Sequence, residues 1–332
     1  MTNGSQYRLY EGDGSTIAER RRELGGFRHE ADLSDPRHYL AGEGLRNAVN
    51  VALMLGQPLL ITGEPGTGKT QLAASIAHEL CLLEQFFIFN TKTTSVARDL
   101  FYRYDTLRHF HDAQFNREQP PAIDSYIEYD ALGLAILLAM SPARADSFLP
   151  ERFRGRGPAR SVVLIDEFDK APRDLPNDVL NEIESMSFQV REAGHHFAAD
   201  AALKPILIFT SNSEKNLPDA FLRRCVFYHI PFPGADDLRE IVRRRLNLSA
   251  SFTPAMLDNA IRRFLEIREL ELKKLPATAE LLAWVRVLNS FALDVANLKP
   301  GEQETLAFTY SILAKNKEDK ELLDSMIAGG TR

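Results

Sequence analysis

The stretch PLLITGEPGTGKTQLAASIAHEL, Pro58–Leu80, passes from a short apolar run through a glycine-rich turn into apolar residues at helical spacing. That order reads as a strand, a loop and a helix. Within it, GEPGTGKT, Gly63–Thr70, matches the pattern G-x-x-x-x-G-K-[ST] in the strand-to-helix setting that the motif requires. Backbone N–H groups of a loop made of Gly63, Glu64, Pro65, Gly66, Thr67 and Gly68 can curl around an anionic phosphate, because glycine tolerates the angles that the curl needs. The N-terminus of the next helix, with Gln71 in its first turn, adds partial positive charge. Lys69 reaches the terminal phosphates and the Thr70 hydroxyl can hold Mg²⁺, so the loop is expected to bind a nucleotide.

Further out, QFFIFN (Gln85–Asn90), SVVLIDEF (Ser161–Phe168) and LKPILIFTSN (Leu203–Asn212) are short, nearly continuous apolar runs. Such runs suit strands buried on both faces of a parallel sheet. VFYHIPFP, Val226–Pro233, reads as a last strand that leaves the sheet through prolines. ALGLAILLAM, Ala131–Met140, is about half a membrane span and reads as a buried helix. From Gly234 onward only helical patterns follow, separated by Pro, Gly and Ser breaks. The expected organisation is a polar, glycine-rich, flexible arm over 1–34, an α/β nucleotide-binding domain over 35–233, and a small all-helical domain over 234–332.

A site that hydrolyses a nucleotide needs carboxylates near its metal, and VVLIDEFDK places Asp166 and Glu167 at the end of a buried strand. Asp166 is the candidate metal-side carboxylate and Glu167 the candidate base that orients water. Asp169 and Lys170 follow in the turn and read as structural or interface residues. The run PILIFTSN ends in Thr210, Ser211 and Asn212, at the sheet edge where doubly wound folds bind ligands, and Asn212 is the candidate contact to the attacking water or γ-phosphate.

Composition bounds the rest. The 332 residues, 44% of them hydrophobic, suffice for a large domain and a smaller one. A net charge of −6 gives no global attraction to nucleic acid or anionic lipid. The two cysteines, Cys81 and Cys225, lie far apart, so neither a disulfide framework nor a zinc cluster is supported, and a reducing cytoplasm fits. The N-terminus shows no signal pattern and no apolar run spans a membrane. His109 with His111, and His195 with His196, suggest no third metal ligand. The arginine triplets at 20–22 and 243–245 read as solvated faces, RFRGRGPAR at Arg152–Arg160 as an interface loop, and Trp284 as core of the helical domain.

Taken together, PLLITGEPGTGKT, VVLIDEFDKAPRDLPNDVLNEIE, LIFTSN and LPDAFLRRC, in this order and at these separations, resemble an AAA+ ATPase. More narrowly they are similar to the MoxR-like branch of the dynein-related type, and the resemblance covers about Asp35–Arg332. It implies a P-loop NTPase fold, a doubly wound parallel sheet with β-hairpin insertions and a helical lid. Ser187–Arg191 would be one hairpin arm with a turn at Ala193–His196, and RDLFYRYDTLRHFHDAQ the second insertion.

The resemblance further implies hydrolysis of ATP with Mg²⁺ by a homo-oligomeric ring, usually of six subunits, with nucleotide between neighbours. An arginine supplied in trans would be Arg224, with Arg223 beside it as a second contact. Asn90 would hold the glutamate until a partner binds, and Tyr39 and Leu40 would flank the adenine. The family's lid arginine has no counterpart here, since Ala277 and Thr278 stand at its place; Lys273, Lys274 or Arg286 would have to substitute. Relatives act on protein partners, some bearing a von Willebrand A-type domain, which makes a chaperone or remodelling motor the leading expectation. A nucleic-acid-directed motor of a restriction or defence system, and a nucleotide-gated switch with little turnover, are the alternatives.

Overall fold

The computed structural model describes residues 35–115, 121–213 and 217–329; the expected arm and the arginines at 20–22 lie outside them. The chain divides into two compact units, Ala41–Phe232 and Met1–Leu40 with Pro233–Arg332.

Among the described residues the first unit holds nine strands: β1 (Leu59–Gly63), β2 (Phe86–Asn90), β3 (Tyr102–Tyr104), β4 (Ile127–Tyr129), β5 (Val162–Asp166), β6 (Ser187–Val190), β7 (His195–Ala198), β8 (Ile206–Ser211) and β9 (Val226–Ile230). Five of them form a sheet in the order β2-β5-β8-β1-β9. Every pair in it is parallel. It is the P-loop α/β sheet that the motifs call for.

The three inner strands are buried almost end to end, with Leu60, Ile61, Val162–Ile165, Ile208 and Phe209 fully buried. The edge strands β2 and β9 instead alternate, leaving Ile88 44% and Phe227 49% exposed. Burial on both faces was expected of β2 as of β5 and β8, but an edge strand has a neighbour on one side only and its outer pleat is poorly covered. Because the strands are parallel, their C-terminal ends share one edge: Asn90 lies level with Asp166, Thr62 with Ser211, and Gly63 with Ile230. The loops that carry the candidate residues therefore meet there.

The expected buried helix is Ala131–Leu138. It passes so close to the backbone at Phe101 that a Cβ on Gly133 would fall 1.9 Å from the Phe101 carbonyl oxygen, which only glycine permits. Two antiparallel hairpins flank the sheet, β3 with β4 and β6 with β7. In the second, the turn occupies residues 191–194 instead of the expected Ala193–His196, so His195 and His196 belong to β7. Register decides this: pairing of Phe188 with Phe197 buries both rings, and Gly194 takes the left-handed angle that closes the turn. Phe101, Tyr129, Phe148, Phe188 and Phe197 form one aromatic cluster that ties the two hairpins together, with ring centroids 4.9–6.2 Å apart.

The second unit contains helices Ala235–Arg245, Pro254–Arg268, Thr278–Phe291, Glu302–Thr309 and Lys317–Gly329, together with the turn Pro36–His38. Trp284 is fully buried and donates its indole N–H to Thr309 Oγ1 at 2.9 Å, so it is core, as expected. Asp319, 3% exposed, accepts from the backbone N–H groups of Lys273 (2.9 Å) and Lys274 (3.2 Å) and from the Asn316 amide (2.6 Å).

Burial would raise the pKa of Asp319, but these donors more than offset it and the carboxyl titrates below its ordinary value. A depressed folded pKa adds stability above the unfolded value of about 4, which is lost as pH falls through the folded one. Asp319→Asn is thus expected to lower the melting temperature at pH 7, with the gap from the parent narrowing below about pH 4. Thermal unfolding followed at the single tryptophan checks this; an equal gap at pH 7 and pH 3 would refute it.

Candidate active site

The phosphate loop leaves β1 at Gly63, whose φ of 150° is one that side chains rarely adopt and where a Cβ would meet the Ile230 carbonyl oxygen at 2.7 Å. Gly66 and Gly68 also have positive φ, 77° and 86°. Glu64, Pro65 and Gly66 are exposed, Thr67 and Lys69 are buried, and the Thr67 hydroxyl closes the turn by donating to the Glu64 carbonyl at 2.9 Å. The helix Lys69–Glu79 follows, with Gln71 half-buried in its first turn.

Lys69 is the centre of the site. Its Nζ donates to the Gly63 carbonyl (2.7 Å), the Glu64 carbonyl (3.0 Å) and Asn212 Oδ1 (2.9 Å). An ammonium has three donors, and here all of them meet oxygen acceptors of the chain itself. Burial lowers its pKa from the ordinary lysine value, opposed by the carboxylates of Asp166, Asp169, Glu167 and Glu64. Phosphate oxygens are acceptors of the same kind and carry charge, so this donor set fits a bound phosphate.

The Thr70 hydroxyl donates to Asp166 Oδ2 at 2.9 Å, which brings the two candidate metal-side groups together from helix and sheet. Glu167 follows in a left-handed conformation, φ 53° and ψ 46°. Its carboxylate is paired with Lys170 Nζ at 2.5 Å, in contact with solvent. Asn90 is exposed at the end of β2 and hydrogen-bonds nothing through its side chain among the described residues. The group found on Glu167 is thus Lys170.

Asn212 is held twice: its side chain meets Lys69, and its backbone N–H donates to Asp169 Oδ1 at 3.1 Å. Asp169 and Lys170 therefore touch candidate site residues, a role that the bare turn DEFDK did not announce. Thr210 also enters the site, because its buried hydroxyl donates to Asp166 Oδ1 and accepts from the Glu167 N–H. The only advance signal was its place at a buried strand end.

The structure does not bring the arginine pair to these residues. Arg224 pairs through Nε with Glu184 and donates from Nη1 to the Ala220 carbonyl at 2.8 Å. The Arg223 side chain is exposed and makes no hydrogen bond or ion pair among the described residues, while its backbone N–H donates to the Asp219 carbonyl at 3.0 Å. Tyr39 and Leu40 belong to the helical unit. The basic loop read as an interface also makes contacts within the chain: Arg152 lies 4.6 Å from the Phe153 ring centroid, Arg154 and Arg160 donate to the Leu149 and Ala202 carbonyls (both 2.7 Å), and Arg156 pairs with Glu84 at 2.5 Å.

Among proteins of known kind, the chain is similar to CD-NTase-associated protein 6 of Pseudomonas aeruginosa, with 25% identity over 210 residues. That match spans 60% of this chain and 56% of the relative, so the chain corresponds to little more than half of that protein's length. Residues 58–225, just over half of the chain, match the family described as AAA domain (dynein-related subfamily). With the parallel P-loop sheet and the site at its C-terminal edge, the chain belongs to the dynein-related subfamily of AAA domains.

Proposed function

We propose that the chain is a Mg²⁺-dependent ATP hydrolase that works as a ring of its own copies and remodels a protein partner, in the manner of MoxR-like AAA+ proteins. What carries this is the meeting of Lys69, Thr70, Asp166, Glu167 and Asn212 around one glycine-rich loop.

Gly63–Thr70 and Gln71 bind the triphosphate through backbone N–H groups and the Lys69 ammonium. Thr70 and Asp166 would hold Mg²⁺, which when bound offsets charge on the phosphates. Glu167 orients water and takes its proton, Asn212 holds the γ-phosphate end, and an arginine from the next subunit, Arg224 or its neighbour Arg223, meets the charge that develops there. Hexameric closure, a partner with a von Willebrand A-type domain and a site in the cytoplasm complete the reading. The relative's name says that it is associated with a CD-NTase, and we extend from it that this ring too serves another protein. Among the described residues no helix is long and apolar enough to cross a membrane.

Phosphate release from Mg-ATP tests this. Turnover per subunit is expected to rise with protein concentration, as a shared site requires, and to rise again with a partner protein. Stimulation by DNA or RNA that falls steeply with salt would turn the reading to a nucleic-acid-directed motor of a defence system. A single turnover at high subunit concentration, with none following, would turn it to a nucleotide-gated switch.

A further inference from the structure

We propose that Thr210 is a positioning residue for hydrolysis, whose one hydroxyl sets the Asp166 carboxylate and the Glu167 backbone in a single arrangement. The inference rests on the ATPase reading above and adds to it a residue outside the loop and the acidic pair. A threonine hydroxyl has one proton to donate and lone pairs that accept. Here both capacities are used, on two neighbouring residues: Oγ1 donates to Asp166 Oδ1 and accepts the Glu167 N–H at 2.9 Å. Thr210 is fully buried on the inner strand β8, so no water substitutes for these partners.

Asp166 is thereby gripped from both sides, Oδ1 by Thr210 from the sheet and Oδ2 by Thr70 from the helix of the phosphate loop. At Glu167 the consequence is sharper. A residue other than glycine with φ 53° and ψ 46° is held against its backbone preference, and holding it needs a contact that the surroundings supply. The bond from its N–H to Thr210 is such a contact. The direction in which the Glu167 side chain leaves the backbone, and so the place of the proposed base, depends on a hydroxyl one strand away.

Thr210→Val and Thr210→Ser in the full chain test this. Valine keeps the branched shape and removes the hydroxyl; serine keeps the hydroxyl. Thr210→Val is expected to lower kcat about ten- to a hundredfold, to leave the affinity for a fluorescent ATP analogue within about threefold, and to speed hydrogen exchange of the Glu167 amide about tenfold or more. Thr210→Ser is expected to regain most of the parent rate and the slow exchange. The proposal is overturned if Thr210→Val turns over within twofold of the parent, if serine fails as badly as valine, or if the Glu167 amide exchanges equally slowly in all three. A parent chain that releases no phosphate would instead count against the ATPase reading, and the exchange measurement would still decide whether Thr210 holds Glu167.

Discussion

A Glu167→Gln chain is expected to hydrolyse ATP at least about a hundredfold more slowly than the parent while binding Mg-ATP as well or better. Glutamine preserves the size and the hydrogen-bonding backbone of the residue but cannot take a proton from water. The present partner of the carboxylate, Lys170, sits on an exposed pair that solvent readily opens, so it does not remove Glu167 from use. Lys69→Ala is the matched control with a different signature. Lys69 supplies the buried ammonium against which Gly63, Glu64 and Asn212 are arranged, so its loss is expected to abolish nucleotide binding as well as turnover. Phosphate release and a fluorescent-nucleotide titration on the same preparations separate the two. Parent-rate hydrolysis by Glu167→Gln would take that residue out of the mechanism and leave Asp166 and Asn212 to be tested in its place.

The second large effect concerns the arginine pair. Arg224→Ala is expected to lower hydrolysis about a thousandfold, the scale of an arginine that meets charge on a transferring phosphoryl group, with ATP binding spared. Such a residue acts on a neighbour's site, so subunits carrying Arg224→Ala mixed with subunits carrying Lys69→Ala should regain part of the activity at the mixed interfaces. In the single chain Arg224 is engaged by Glu184 and the Ala220 carbonyl, whereas the exposed Arg223 side chain makes no ion pair among the described residues. Glu184→Ala is therefore a useful companion: if Arg224 is the trans residue, freeing it should not lower turnover. Loss of activity in Arg223→Ala with parent behaviour in Arg224→Ala would move the role one residue along the chain.

The phosphate loop was legible because its chemistry is local. The glycines, Lys69 and Thr70 lie within eight residues, and the curl they make depends on backbone angles that glycine alone permits, as the positive φ values at Gly63, Gly66 and Gly68 show. The parallel sheet was legible for a related reason. Runs such as Val162–Ile165 are apolar without alternation, a pattern that suits a strand covered on both faces. The same reasoning overstated burial in β2, because being at an edge is a property of strand order and leaves no mark within the strand.

By itself, the sequence determined which residue types were present for phosphate chemistry and that strand, loop and helix would present them. Tertiary structure alone decided who touches whom. The bonds from Asn212 to Lys69, from Thr70 to Asp166 and from Thr210 to Asp166 and Glu167 join residues between 43 and 143 positions apart. No local spacing rule reaches across such separations. They arise because parallel pairing puts the C-terminal ends of β1, β5 and β8 on one edge, so that hydrogen-bonding range of a few ångströms, not distance along the chain, selects the partners.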